Sequence, residues 1–207
     1  MRAQITTAGA YVLLEGRFAF MVGPTPRSDG LAVVRLGGHG EAGETAWECA
    51  AREVREEASL RIRPLTPPDT YWFQVGSESE TLKQGPPPDD TDGEVPPLLL
   101  VRGAGDHGGR LSVMYLASAD GPPAPASEAR GLLLLSPSEV VRIVCTQVTL
   151  DEYRHSGGLA ILRDELPGHL PLEPFLQLRL LAVLLLRHPD LGIGQHAPDG
   201  VVDRYRA

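Results

Sequence analysis

Cysteine is almost absent from this sequence: Cys49 and Cys145 are the two thiols in 207 residues. Two thiols cannot build a multi-bridge framework, so a small disulfide-stapled scaffold is excluded and a reducing compartment is expected. Positive charge is also short. Lys and Arg number 19 against 27 Asp and Glu, a formal charge of −8. That balance leaves no dense basic track for neutralising a nucleic-acid backbone. It does not exclude a small phosphorylated ligand, which needs only a metal ion and one or two arginines. Long apolar runs are missing as well. The most hydrophobic stretch, Leu176 to Leu186, is interrupted by Gln177 and Arg179 and is too short to span a bilayer. The first apolar run, Ala8 to Leu14, closes at Glu15-Gly16 with no small-residue cleavage site after it. A cytoplasmic, soluble chain without membrane partners is therefore expected. No internal repeat is visible, and the histidines lack the paired spacing of a zinc site.

What is present is enough apolar material for one substantial domain: 42% hydrophobic against 22% charged residues. Tyr11–Leu14 and Phe18–Val22, joined through Glu15-Gly16-Arg17, read as a β-hairpin. Further strands are expected at Leu31–Leu36, Tyr71–Val75, Leu98–Arg102 and Leu111–Ala117, with a short apolar segment at Leu132–Leu135. Residues 76–97 and 120–128 are polar or Pro-rich connections. Ser136-Pro137-Ser138-Glu139 looks like a helix start, and from about residue 137 onward the chain reads mostly helical. The last helix is expected from Glu173-Pro174 to Arg187-His188, apolar nearly all round and stopped by Pro189. The class is α+β.

Chemistry concentrates in residues 37–60. Four glycines in seven positions (Gly37, Gly38, Gly40 and Gly43) follow a strand and open a helix, a sequence suited to close backbone approach to a ligand. Thr45 and Glu48 have the spacing of a capping box, which predicts a helix over 45–59. At about 100° per residue, Glu53, Glu56 and Glu57 fall on one face of that helix. Trp47, Ala51, Val54 and Ala58 form the expected apolar stripe opposite. Like charges at such spacings cost a few tenths of a kcal/mol per pair, roughly, so helix stability does not favour the cluster. It is either a solvated acidic face or a set of hard oxygen ligands for Mg²⁺ or Mn²⁺.

Gly38, Glu44, Arg52-Glu53-Val54-Arg55-Glu56-Glu57 and Leu60, at these spacings, resemble the Nudix box. Ser59 stands where the family usually has glycine. The resemblance implies an αβα sandwich with a mixed β-sheet over residues 1–140. Residues 141–207 would then be a helical C-terminal extension, packed on the domain or at a homodimer interface. It implies a metal-binding pyrophosphatase: a hydrolase that cleaves a phosphoanhydride bond of a nucleoside diphosphate linked to another moiety, using a metal-activated water. Mg²⁺ or Mn²⁺ is the implied cofactor and a small nucleotide derivative the implied partner. Glu53, Glu56 and Glu57 match the family's metal-binding carboxylates, joined by a carbonyl of Gly37 or Gly38. Arg52 matches an arginine that orients the glutamates, and Glu44 a supporting acid. The attacking water's proton would go to Glu56 or Glu57, or to an acid elsewhere: Asp89, Asp90, Asp92, Glu94 or Glu128. The alternative is a non-catalytic nucleotide- or metabolite-sensing Nudix module.

Outside the box, Arg35 precedes the glycine loop by two residues and either contacts a substrate phosphate or is exposed at an edge. His39 lies in the loop and is a second substrate-binding candidate. Cys49 is expected to be a buried structural thiol, with no His or Asp spaced to activate it. Of Tyr71, Trp72 and Phe73, alternation makes at least one a core residue.

Overall fold

The computed structural model describes residues 4–25, 29–76, 81–86, 95–103 and 110–191. Twelve strands are present among them: β1 (Gln4–Leu14), β2 (Arg17–Pro24), β3 (Leu31–Val34), β4 (Leu36–His39), β5 (Arg61–Pro64), β6 (Tyr71–Gln74), β7 (Lys83–Gln84), β8 (Leu99–Arg102), β9 (Arg110–Asp120), β10 (Gly131–Leu135), β11 (Leu159–Leu162) and β12 (Leu172–Pro174). Four helices accompany them: α1 (Ala46–Ala58), α2 (Pro137–Cys145), α3 (Leu150–His155) and α4 (Leu176–Arg187). The strands form one mixed sheet in the order β11-β10-β2-β1-β9-β8-β6-β7, with β3, β4, β5 and β12 paired off that path. β1 runs parallel to β9, β6 to β8 and β12 to β3, and the other pairs are antiparallel.

The sheet is buried on both faces. On one, Ala8, Ala10, Val12, Leu36, Leu100, Val113 and Tyr115 pack with Cys49, Ala50, Val54 and Ala58 of α1. On the other, Tyr11, Phe20, Val33, Leu99, Met114 and Leu133 pack with α2 and α4. This is a three-layer α+β sandwich. Side chains in β1 alternate between the two faces, which is why both halves of the core meet at that strand. The expected hairpin closes with Leu14 opposite Arg17. Glu15 (φ 51°) and Gly16 (φ 75°) make the left-handed pair that a two-residue hairpin turn requires.

The expected strand over 31–36 is two strands. β3 pairs with β2 through Met21–Pro24, whereas β4 pairs with β1 through Thr7–Ala10. The sheet therefore splits between β2 and β1, and Arg35 is the residue at which the chain crosses the split. β1 also begins seven residues before the expected hairpin strand. Its early residues, Thr6, Thr7, Ala8 and Gly9, are small because α1 and β4 come close.

The C-terminal segment carries α3, α4 and the end of α2, and in addition two strands. β11 extends the sheet beside β10, and β12 pairs with β3. Ser136, with Glu139, caps α2 as expected, and Thr149 with Glu152 caps α3 in the same way. Arg17 on the hairpin donates to Glu139 at 2.7 Å and to the Leu134 carbonyl at 3.1 Å, fixing α2 to the sheet. The Tyr11 hydroxyl crosses from β1 to donate to the Gln177 carbonyl of α4 at 2.8 Å. Tyr71 likewise bonds His188 at the end of α4. Among the described residues, no helix is long and apolar enough to cross a membrane.

Candidate metal and active site

α1 starts where its capping box puts it. The Thr45 side chain accepts from Glu48 N–H at 3.1 Å, and Glu48 returns the bond to Thr45 N–H at 2.9 Å. It ends at Ser59, whose backbone is left-handed (φ 58°, ψ 22°) and donates to the Arg55 carbonyl. This is the conformation for which the missing glycine would be suited. The buried face of α1 is Ala46, Cys49, Ala50, Val54, Glu57 and Ala58. That corrects the expected stripe by part of a turn. Trp47 and Ala51 are half-buried, Trp47 resting edge-on against Tyr115, and Glu57 has rotated into the interior.

The other carboxylates are gathered by one guanidinium. Arg52 Nε donates to Glu44 at 2.8 Å and Nη1 donates to Glu53 at 2.9 Å and to Glu56 at 3.2 Å. Nη2 reaches Glu44 at 3.1 Å and the backbone carbonyl of His39 at 2.9 Å. Every donor direction of the planar group is used, which a lysine could not reproduce. The Arg52 bond holds the Glu44 carboxyl below the usual carboxylate range. His39 thus joins the site through its main chain, while the residue itself is exposed.

Glu57 is different in kind. It is 2% exposed and accepts from Gly37 N–H at 2.8 Å. Burial pushes its carboxyl up to about 8; the Gly37 N–H and the Arg35 charge oppose that rise, and Glu53 and Glu128 add to it. Glu53 packs directly over Gly38, where any Cβ would overlap its carboxylate. The Cys49 thiol lies beneath, 3.8 Å from the Gly38 carbonyl, and burial pushes it up to about 11. It is a structural thiol, as expected.

Arg35 is part-buried, at the split of the sheet below these carboxylates. Its Nη1 donates to the Ala8 carbonyl at 3.2 Å. Glu128, on the connection after β9, is exposed but close enough to act on Glu57. That connection is held to the end of α1 by Ala126 N–H to the Glu57 carbonyl and Ala124 N–H to the Ala58 carbonyl, both 2.9 Å. Asp89, Asp90, Asp92 and Glu94 lie outside the described residues. Tyr71 and Phe73 are core, and half-buried Trp72 faces the α1 side, with its indole N–H on the Pro86 carbonyl and Arg102 over its ring.

The donor set suits a hard divalent cation, being carboxylate and carbonyl oxygen throughout. Gly38 leaves the space that Glu53 occupies, and Arg52 Nη1 already bridges Glu53 and Glu56 as a cation. Among the described residues, no three His, Cys, Asp or Glu side chains converge as a ready-made cage. Binding an ion at Glu53 and Glu56 would therefore require Arg52 to release one of them.

The NUDIX domain family profile matches residues 6–97, a span that contains the glycine loop and α1. No curated protein sequence matches the chain. Among solved structures, a NUDIX-family hydrolase from Clostridium perfringens superposes with a TM-score of 0.43 at 16% identity, covering 66% of this chain and 84% of its own. A NUDIX hydrolase from Nitrosomonas europaea gives 0.42 at 15% identity, covering 83% and 81%. A MutT NUDIX hydrolase from Burkholderia pseudomallei gives 0.38 at 16%, covering 66% and 86%. The box motif, on a capped helix behind a glycine loop, lies inside the matched span, and residues 6–97 of this chain are a NUDIX domain.

Proposed function

We propose that the protein is a divalent-metal-dependent pyrophosphohydrolase acting on a nucleoside diphosphate linked to another moiety. The observation that carries this reading is the bonding of Glu53 and Glu56 to one guanidinium, that of Arg52, beside the Gly37-Gly38 backbone, which bonds Glu57 and lies under Glu53. Nudix hydrolases generally use divalent metal ions. Here Glu53, Glu56 and Glu57, with a Gly37 or Gly38 carbonyl, would hold Mg²⁺ or Mn²⁺. Such an ion supplies charge neutralisation on phosphate oxygens and a more acidic water.

The chain's own groups divide the remaining work. Arg52 orients Glu53 and Glu56 and keeps Glu44 ionised beside them. Gly37 N–H fixes Glu57. Among the described residues, Glu56, with 46% of its side chain exposed, and Glu128 are open enough to take a proton from an attacking water. The constellation lies within residues 1–140, and α2 and α4 pack on the other face of the sheet. Two free thiols agree with a cytoplasmic setting.

The test is product release from NTPs, nucleotide sugars, ADP-ribose and dinucleoside polyphosphates, with Mg²⁺ and with Mn²⁺. Full turnover in Glu53→Gln, Glu56→Gln and Glu57→Gln proteins would refute the site. Nucleotide-dependent thermal stabilisation with no turnover of any substrate would instead favour a sensing module. Loss of turnover in Glu128→Gln with Mn²⁺ binding unchanged identifies Glu128 as the base, and full turnover in Glu128→Gln excludes it. Light scattering decides between monomer and homodimer.

A further inference from the structure

Glu128 is exposed, but the connection that carries it from β9 to β10 has few internal freedoms. Pro122, Pro123 and Pro125 stiffen its first half. The four residues after Pro125 close a tight turn, with Ala129 N–H donating to the Ala126 carbonyl at 2.9 Å. Ser127 is the first central residue of that turn and has φ 50°, a left-handed conformation that glycine or asparagine usually supplies. Glu128 is the second. A serine keeps such a backbone only where its surroundings impose it.

Two sets of bonds impose it. On one side, Ala124 N–H and Ala126 N–H bond the carbonyls of Ala58 and Glu57 at the end of α1. On the other side stands Arg163, the residue after β11. β11 lies close against β10, with Leu162 opposite Gly131, and a Cβ on that glycine would come within 2.6 Å of the leucine side chain. The pairing continues one residue further, Arg163 N–H donating to the Arg130 carbonyl at 2.9 Å. Arg163 Nη1 then reaches back to donate to the Ser127 carbonyl at 2.6 Å. That carbonyl belongs to the peptide unit joining Ser127 to Glu128. Asp164 lies 2.8 Å from Arg130 and 3.6 Å from Arg163, which restrains both guanidiniums.

We propose that Arg163 is a positioning residue for hydrolysis: it fixes the peptide before Glu128, and with it the carboxylate, relative to Glu57 and the end of α1. The C-terminal segment thereby completes the active site without touching substrate or metal. A proton acceptor works only within hydrogen-bond reach of the water it deprotonates, and a displacement of about 1 Å costs on the order of a hundredfold in rate. The proposal rests on the hydrolase reading, with Glu128 as the proton acceptor.

A double-mutant cycle in turnover tests it, run on NTPs, nucleotide sugars, ADP-ribose and dinucleoside polyphosphates with Mg²⁺. Arg163→Met is expected to lower kcat about tenfold to a hundredfold, with KM changed less than about threefold. In the Glu128→Gln background the same change is expected to cost nothing further, because no proton acceptor is left to misplace. Calorimetric Mn²⁺ binding is expected to be equal in Arg163→Met and the unchanged protein. Far-ultraviolet circular dichroism establishes that each variant is folded; Arg163→Ser, too short to reach Ser127, takes the place of a methionine variant that is not. Full kcat in the folded Arg163 variant would overturn the proposal. So would weaker Mn²⁺ binding, or an equal loss of kcat in both backgrounds, which marks a merely structural role. Full turnover in Glu128→Gln overturns it together with the assignment of the base, while the metal site stands. No turnover of any substrate by the unchanged protein strikes the hydrolase reading itself, and the proposal with it.

Discussion

Glu57→Gln should make the metal-free protein more stable at alkaline pH, although it removes a group assigned to the active site. The side chain is 2% exposed, and burial raises its carboxyl from an ordinary 4.5 to about 8. Below pH 4.5 the group is protonated in both folded and unfolded chains, and its burial carries no electrostatic cost. Between 4.5 and 8 the folded chain keeps a proton that the unfolded chain releases, so stability falls by up to about 1.4 kcal/mol per pH unit. Above about 8 the loss is complete, on the order of 4–5 kcal/mol. Glutamine keeps an oxygen for Gly37 N–H and removes that slope, while its extra N–H costs about 1–3 kcal/mol if it finds no acceptor. The variant is therefore expected to exceed the unchanged protein by roughly 1–4 kcal/mol at pH 9, a few to about 15 °C in melting temperature for a chain of this size. At pH 5 it should be equal or slightly weaker. Melting curves in EDTA from pH 5 to 9 measure this. Saturating Mg²⁺ should then reverse the order, because ligand stabilises only the state that binds it. Parallel stability–pH curves for the two proteins in EDTA would refute the assignment of a protonatable, buried Glu57.

Arg52→Gln strips charge-assisted bonds from Glu44, Glu53 and Glu56 and should cost about 2–4 kcal/mol in urea unfolding at pH 7. Glu44, held below the usual carboxylate range by Arg52, contributes stability above that range and loses it as pH falls through the depressed value. The deficit of the variant should therefore shrink in acid. Ser59→Gly relieves a left-handed, non-glycine backbone at the end of α1 and is expected to stabilise by about 0.5–1 kcal/mol with turnover unchanged. A decrease in melting temperature would contradict it. Gly37→Ala forces a Cβ into the Ala8 carbonyl and Arg35 at φ 138°, and should lower stability by more than about 3 kcal/mol, read as loss of soluble protein or of a cooperative transition.

The parts of the site that were legible in the sequence are those set by local rules. Thr45 and Glu48 three residues apart announce a helix start, and glutamates at three- and four-residue spacings must share a helical face wherever the helix goes. Rotation about the helix axis is not a local property. The sequence offered Trp47 and Ala51 as the inner face, but Trp47 is too large to sit beneath the helix against Ala8, Ala10 and Leu36, and it lies at the border on Tyr115 instead. The small residues Ala46, Cys49 and Ala50 take the inner positions, which turns Glu57 inward and creates its perturbed acidity.

The same distinction explains the sheet. β10 was visible as an apolar run, while β11 and β12 were not separable from helix, because Leu159–Leu162 and Leu172–Pro174 are too short to show a period. Their strand state comes from partners far away in the chain, Gly131–Leu134 and Leu31–Val33. Arg35 was misleading for a related reason: in a continuous strand over 31–36 it would share a face with Leu31 and Val33. The strand breaks there because β1 and β2 pair with each other only from Val12 and Ala19 toward the hairpin; away from it, β2 takes β3 and β1 takes β4. An arginine at the break is consequently neither edge residue nor face residue. It enters the gap, and Gly9 and Gly37, facing each other across β1 and β4, are the walls of that gap.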